Sequence, residues 1–518
     1  SKFIMQKTHI TFTLIFLLIN FCSCKKDFEA VNTNPVLATT LDASYLFSNA
    51  EFNSALPVYY YQPEIVQQLN TPSTGVLEGG NHNVYFDANS NIVFNYLFKG
   101  PTGGSVGGPV ALLVTVINQT SSNPARSNLY NMARILKAYE FMILVDTYGD
   151  VPYTQAGQGF LEGINLPKYD QQQTIYDDIL NELDIATKAL DASKATESGD
   201  LFYKGNIAQW KKLGNSLLLR AAMRFSKIDQ AKAQKYVAIA VSGGLMQSNT
   251  DNTFIQFNST FNNPTGTWFQ ATERGNIYLA QPFVDYLKST ADPRLQVISV
   301  KYANPASPLG TVGTEDTSPA NQVGMPMGYN ESTINTAPGF PGKSGAGYNY
   351  SQVNRRTLGK IDIPEFFVTY SQTSLLLAEA VQRGLTTGNV ASLYTTGVKA
   401  HMDQMAAFDV SATISATAQN AYLAANPFNP TKALEQINTQ YWVSSFLNFN
   451  EAWANFRRSG YPVLAPNPYP FADASVKGDF IHRLPYPLRE QSVNTDNYNA
   501  AVAHNGPDNM ATRIFWDK

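Results

Sequence analysis

The chain has 518 residues, of which 44% are hydrophobic and 15% are charged, and its formal net charge is −3. This composition suits a globular protein with a large core, and the length allows two or three domains or a single elaborated one. The slightly negative charge excludes the overall basic surface that nucleic-acid-binding proteins use, so no nucleic acid is expected as a partner.

The N-terminal segment predicts export from the cytoplasm. Residues 5–9 are weakly basic, residues 10–21 form an apolar run, and Cys22-Ser23-Cys24 follows. This run is too short to cross a bilayer, which needs about 20 apolar residues, and it is typical of a secretory signal. Both cysteines of the chain lie here, so none is left in the rest of the sequence for a disulfide, a thiolate metal site or a catalytic thiol.

The small residue Ser23 before Cys24 is typical of a bacterial lipoprotein signal, in which the cysteine becomes lipidated. We therefore predict a signal peptide over residues 1–23, lipidation of Cys24 and a polar tether over residues 24–40. Acyl chains contribute about 0.8 kcal/mol per buried CH₂, so several chains would hold a large soluble domain at a membrane. The alternative is an ordinary cleaved signal with incidental cysteines.

Helical periodicity dominates two blocks of the remaining chain. In residues 127–148 apolar side chains recur at three- and four-residue spacing, and Gly149 and Pro152 end the helix. Further helices are predicted at residues 41–52, 172–190, 207–225 and 230–241, and at residues 364–383, 390–408 and 431–456. Helix pairs of this length predict a mostly α fold with tetratricopeptide-like stacking, although no clean repeat signature is present.

The segment between the two blocks, residues 244–360, has a different composition. It is rich in Asn, Gly, Pro, Ser and Thr, with interspersed aromatic residues. A loop segment of this length is either functional or disordered, and its aromatic content argues against disorder. We therefore predict a loop-rich, irregular ligand-binding insert on a helical scaffold.

A site for a sugar needs aromatic faces for the apolar C–H groups and amide or charged side chains for the hydroxyls. Two stretches of the insert, Trp268-Phe269-Gln270 and Tyr348-Asn349-Tyr350, have this composition. The predicted ligand-binding residues are Trp268, Phe269, Tyr278, Tyr348, Asn349 and Tyr350. Nearby polar residues and a second, weaker aromatic candidate are Asn262, Asn263, Arg274 and residues 59–61. The alternative for each ring is packing inside the insert.

Motifs for catalysis are weak. Residues 103–107, with Ser105 at their centre, match the Gly-x-Ser-x-Gly turn of serine hydrolases, and residues 92–98 could form the strand before it. A match within such a glycine-rich run arises easily by chance, and the alternating strand–helix order of an α/β-hydrolase is missing. We predict no catalytic residue, no metal ligand and no cofactor. Calcium stays open as an alternative, because oxygen ligands are plentiful, although no Asp-x-Asp-x-Asp-Gly loop is present.

Two carboxylates within strong helical patterns are interpreted as structural. They are Glu379 and Glu451. Glu451 is predicted to form a local ion-pair network at a helix end with Arg457 and Arg458, which contributes little if it is exposed.

Several short motifs occur in one order along nearly the whole chain. They are residues 148–152 (YGDVP), 210–220 (WKKLGNSLLLR), 376–380 (LLAEA), 451–462 (EAWANFRRSGYP), 483–487 (RLPYP), 490–494 (EQSVN) and 514–518 (IFWDK). In these motifs and in its lipoprotein start the chain resembles the SusD/RagB family of nutrient-binding lipoproteins.

The resemblance implies one mostly α domain over residues 41–518, anchored by lipid to the outer membrane at the cell surface. It also implies a lid on a TonB-dependent, SusC-like transporter that captures oligosaccharides without catalysis. Binding residues vary with the ligand in this family, so none is carried over. A peptide ligand, a lipid-anchored hydrolase and a lid without ligand affinity stay open as alternatives.

Overall fold

The computed structural model describes residues 41–56, 60–75, 77–101 and 107–518. The predicted signal peptide, the tether with Cys24, Tyr59 and Ser105 lie outside these residues.

The helices and strands of the described residues are numbered in chain order. The helices are α1 (Ala43–Asn53), α2 (Gln62–Ile65), α3 (Glu78–His82), α4 (Asp87–Ser90), α5 (Ile92–Lys99), α6 (Pro109–Thr120), α7 (Ser127–Tyr148), α8 (Gly159–Glu162), α9 (Gln172–Ala189), α10 (Ile207–Met223), α11 (Gln230–Gly243), α12 (Pro264–Thr267), α13 (Gln281–Ser289), α14 (Arg294–Ile298), α15 (Tyr370–Gln382), α16 (Val390–Gln404), α17 (Ala416–Ala425), α18 (Ala433–Ser444), α19 (Phe449–Ser459), α20 (Leu488–Val493) and α21 (Thr495–Asn505). The strands are β1 (Leu69–Asn70), β2 (Val151–Pro152), β3 (Tyr169–Asp170), β4 (Thr253–Gln256), β5 (Tyr278–Leu279), β6 (Ser299–Tyr302), β7 (Glu315–Asp316), β8 (Lys343–Ser344), β9 (Gly347–Tyr348), β10 (Gln352–Val353) and β11 (Pro364–Val368).

Neighbouring helices pack against one another along the chain. In the first block α6 packs on α7, α7 on α9, α9 on α10 and α10 on α11, and in the second block α15 packs on α16 and α18. Helix α7 has the predicted bounds, because the chain leaves the helix at Gly149 with a φ of +81°, a value that glycine adopts without strain. The prediction of a mostly α fold is confirmed. None of the helices within the described residues is long and apolar enough to cross a membrane.

Three local predictions are wrong. Residues 92–98 belong to helix α5 and not to a strand. The predicted helix at residues 364–383 begins with strand β11, and helix α15 starts only after Thr369, whose side chain forms a capping box with Gln372. The predicted helix at residues 431–456 is two helices, α18 and α19, separated at Leu447, which has a φ of +74°. Strand pairing at residues 364–368 and the non-helical backbone at Leu447 prevail there over the apolar periodicity that predicted a helix.

The insert is a packed body with short elements. Strand β4, near its start, pairs antiparallel with β11, just after its end, and β5 pairs with β1 from the N-terminal region. Its own small cores form around Tyr278 and Tyr350, and around Val300 and Tyr302. The pairing of β4 with β11 therefore holds the start and the end of the insert together.

Buried ion pairs join the two helical blocks. Arg224 donates to Asp146 of α7 at 3.0 Å and to Glu451 of α19 at 2.7 Å, and all three side chains are buried. The predicted network of Glu451 with Arg457 and Arg458 is wrong in its partners, and the Glu451 carboxylate is buried. Arg458 instead donates to Glu379 of α15 at 2.5 Å. The structural interpretation of Glu379 and Glu451 stands, because both carboxylates are bound by buried guanidinium groups.

Candidate functional site

The first predicted stretch lies inside the protein. Trp268 and Phe269 are 1% and 4% exposed and belong to the main hydrophobic core. The ring of Tyr60, which is half-buried, meets Trp268 edge-on with 6.1 Å between centroids, whereas Tyr61 is buried and donates its hydroxyl to the carbonyl oxygen of Val84. These rings can support a surface from beneath but offer little face to a ligand.

The polar residues near this stretch hold the insert together. Asn263 is buried, caps α12 and donates to Glu365 at 3.0 Å. Arg274 donates to the carbonyl oxygens of Ala306 and Gln270, at 2.7 and 3.1 Å. Asn262 is exposed and donates to the carbonyl oxygen of Asn258. All three side chains are therefore engaged within the protein, although Asn262 is exposed.

The remaining predicted residues come together in one cluster. Tyr278 and Tyr350 are buried at its base, and Tyr348 and Asn349 are half-buried above them. The Tyr278 hydroxyl donates to the carbonyl oxygen of Gly275 and accepts from the backbone N–H of Tyr348, which fixes the turn that carries Tyr348. Burial and the nearby Tyr329 raise the pKa of Tyr350 to about 12.

Sequence reasoning missed two rings that complete this cluster. Phe340 is half-buried and lies 6.2 Å from the ring of Tyr348, and Tyr329 is half-buried in the same cluster. Burial and, to a lesser extent, the exposed carboxylate of Glu331 raise the pKa of Tyr348. Tyr329 is followed by Asn330 in the sequence, as Tyr348 is followed by Asn349. The composition that pointed to Tyr348 and Asn349 could therefore also have pointed to Tyr329. We call Tyr329, Phe340 and Tyr348 the aromatic surface.

A second aromatic group adjoins the aromatic surface through His82. The ring of His82 stacks on Tyr469 with 4.3 Å between centroids, and its Nε2 lies 2.9 Å from the carbonyl oxygen of Tyr329. Phe471, which is 40% exposed, packs on Tyr469 at 5.0 Å. Burial lowers the pKa of His82, so the imidazole is neutral near pH 7 and presents a flat ring.

Loops from distant parts of the chain meet at this place. Gly328 has a φ of +84°, and a Cβ atom there would lie 2.7 Å from Cγ of Pro468, so the two loops approach as only glycine allows. Asn467 donates from its side chain to the carbonyl oxygen of Asn81. These contacts bring helix α3 and the loops that carry Tyr329 and Tyr469 together.

A carboxyl group with a raised pKa, Glu365, lies outside this site and has no room for a substrate beside it. Burial raises the pKa of Glu365 to about 7, a value suited to proton transfer, with Asn263 opposing the shift. The cavity beside Glu365 has a volume of about 10 Å³, which holds no more than one water molecule. Within the described ranges, no group of three or more His, Cys, Asp or Glu side chains could hold a metal ion.

Comparison with known proteins decides the family. A family model for SusD-like proteins, described as starch-binding and associating with the outer membrane, matches residues 108–487. The chain belongs to the SusD-like family. The predicted resemblance is thereby confirmed, and the protein is a member of a carbohydrate-binding family associated with the outer membrane. No curated protein matches the chain significantly in sequence.

Solved structures of SusD-like proteins share the fold. A chitin-binding protein is 30% identical with a TM-score of 0.79, and the match covers 92% of this chain and 100% of that chain. A chitin-binding SusD homolog from Flavobacterium johnsoniae is 22% identical with a TM-score of 0.72, covering 91% and 97%. A SusD homolog from Bacteroides uniformis is 23% identical with a TM-score of 0.72, covering 92% and 99%.

Proposed function

We propose that this SusD-like protein captures oligosaccharides at the cell surface and delivers them, unaltered, to a SusC-like TonB-dependent transporter. The observation that carries the proposal is the aromatic surface beside Asn349 and Glu331 in a chain of this family. Half-exposed rings can stack on the C–H faces of sugars, while the amide and the carboxylate can pair with hydroxyl groups. Tyr278 and Tyr350 support these rings from within.

A binding role without turnover agrees with the placement of the carboxylates. Glu365 faces a cavity of water size, and Glu379 and Glu451 are bound by arginines. A glycosidase needs two carboxyl groups about 5–10 Å apart on either side of a bound sugar. Because one structural relative is a chitin-binding protein, oligomers of N-acetylglucosamine are the first ligands to test.

Replacing Tyr348 or Phe340 with alanine is expected to weaken binding of N-acetylglucosamine oligomers about tenfold, since each variant removes one stacking ring. Isothermal titration measures the affinity, and chromatography of the recovered sugar checks that its length is unchanged. Phe160→Ala is the matched control, because Phe160 is 91% exposed on α8, outside the aromatic surface.

Three results would contradict this proposal in different ways. Unchanged affinity in both ring variants would place the ligand elsewhere. Shortened sugars would make the protein a hydrolase. Binding of peptides but not of any glycan on an array would change the ligand class.

Replacing Cys24 with serine is expected to release the protein from the outer membrane, because the acyl chains can no longer be attached. Membrane fractionation and protease accessibility of intact cells measure this. Cys22→Ser is the matched control and should leave the protein at the cell surface. Release by Cys22→Ser with retention by Cys24→Ser would move the lipid to the other cysteine.

A further inference from the structure

A cavity separate from the aromatic surface lies between helix α5, the segment after β2 and helix α20. Its volume is about 330 Å³, within the range of small-molecule sites of about 300–1,000 Å³. Much of its wall is apolar, formed by Phe94, Phe98, Ile164, Leu166 and Val493. Leu166 and Val493 are about half exposed, so the cavity is open to solvent.

Two cations share the rim of this cavity. They are Lys99, at the end of α5, and Arg489, in α20, and both are exposed. They are close enough to interact, because Arg489 adds to burial in lowering the pKa of Lys99. The Lys99 ammonium donates to Asn95 at 2.9 Å, whereas the guanidinium of Arg489 has no hydrogen-bond or ion-pair partner within the described ranges.

The one carboxylate that lines the cavity is already engaged. Glu490 accepts the Tyr169 hydroxyl at 2.9 Å and the Asn494 amide at 3.4 Å through its Oε2 atom. Glu490 also acts on Lys99, but its single negative charge offsets only one of the two positive charges. The cavity keeps an excess of positive charge next to an apolar wall.

We infer that this cavity binds a small organic carboxylate with an apolar body. The carboxylate would lie between Lys99 and Arg489, where a guanidinium offers a two-pronged pair of donors. The apolar body would lie against Phe98, Leu166 and Val493. This site is independent of the glycan-binding proposal, since the two sets of lining residues have no member in common.

The test uses 4-phenylbutyrate and its neutral analogue 4-phenylbutanol with the purified full-length protein. Calorimetric titration should show saturable binding of the acid, at least about tenfold weaker binding of the alcohol, and a loss of affinity for the acid as salt is raised. Arg489→Gln should weaken binding of the acid about tenfold. Lys194→Gln removes an exposed positive charge elsewhere and should change nothing.

A second variant tests the position of the ligand without changing charge. Val493→Trp should fill the cavity and abolish binding of the acid, and circular dichroism should show that both variants, which alter exposed side chains, stay folded. The inference is overturned by equal affinity for acid and alcohol, by unchanged binding in Arg489→Gln or Val493→Trp, or by the absence of saturable binding.

Discussion

Replacing Arg224 with methionine is expected to lower the free energy of unfolding by about 3–5 kcal/mol, because the change leaves two buried carboxylates without their main partner. Asp146 would keep its hydrogen bonds from the Tyr176 hydroxyl and the Trp516 indole N–H. Glu451 would keep the Tyr441 hydroxyl and the more distant Arg220, at 3.7 Å. Since Asp146 lies on α7 and Glu451 on α19, the loss would weaken the junction of the two helical blocks.

Urea unfolding of the parent and the Arg224→Met variant measures this effect. The matched control is Arg356→Met, since Arg356 contacts Glu315 at 2.6 Å but is 56% exposed. An exposed pair of this kind contributes less than about 1 kcal/mol. Equal losses in the two variants would show that burial does not decide the strength of these ion pairs.

The free energy of unfolding should depend differently on pH in the parent and in the Arg224→Met variant. Burial alone would raise the pKa of Glu451, but Arg224 and Arg220 hold it below its ordinary value. In the parent this stabilisation is present above the unfolded-state pKa and is lost as the pH falls through the folded-state pKa. In the variant Glu451 can take up a proton instead of standing unpaired. The loss in free energy of unfolding caused by Arg224→Met should therefore become smaller as the pH is lowered toward about 4.

Replacing Glu140 with glutamine is expected to stabilise the protein at neutral and alkaline pH. Glu140 lies in the middle of α7 and is 0% exposed. Burial raises its pKa to about 8, with the Ser54 side chain opposing the shift. The folded protein then keeps a neutral carboxyl group at pH 7, while the unfolded chain gains stability by ionising it.

The raised pKa of Glu140 determines the pH range over which the Glu140→Gln substitution changes stability. A carboxyl group with a raised folded-state pKa reduces stability progressively from its unfolded-state pKa up to about pH 8. Unfolding free energies should thus show an advantage of Glu140→Gln that grows by about 3 kcal/mol between about pH 4.5 and pH 7.5. Glu162→Gln changes an exposed carboxylate and should show no such growth. If the difference in unfolding free energy between Glu140→Gln and the parent stayed constant over this pH range, Glu140 would be charged in the folded protein.

Local sequence signals predicted the helices well where the chain carries its own stop signals. Helix α7 has the predicted bounds, because Gly149 can end a helix by its own backbone freedom. The helix predicted from residue 364 failed at its start, because residues 364–368 pair with β4, more than a hundred positions earlier in the chain. Periodicity does not reveal a pairing over that distance.

The candidate site was only partly predictable for the same reason. Tyr348 and Tyr350 have the same local composition, yet the first is half-exposed and the second is buried against Tyr278. Trp268, another predicted ligand-binding residue, lies in the core. Phe471 joins the site through Tyr469 and His82, which come from distant parts of the chain.

The sequence by itself determined the short N-terminal apolar run with its two cysteines, the helical class and the membership of the SusD-like family. These follow from composition, local spacing and motif order, which are properties of neighbouring residues. The tertiary structure decided which rings face solvent, that Glu451 pairs with Arg224 and not with Arg458, and that Lys99 and Arg489 share one cavity. Such contacts join residues far apart in the chain, and their energies depend on burial, which exists only once the chain has folded.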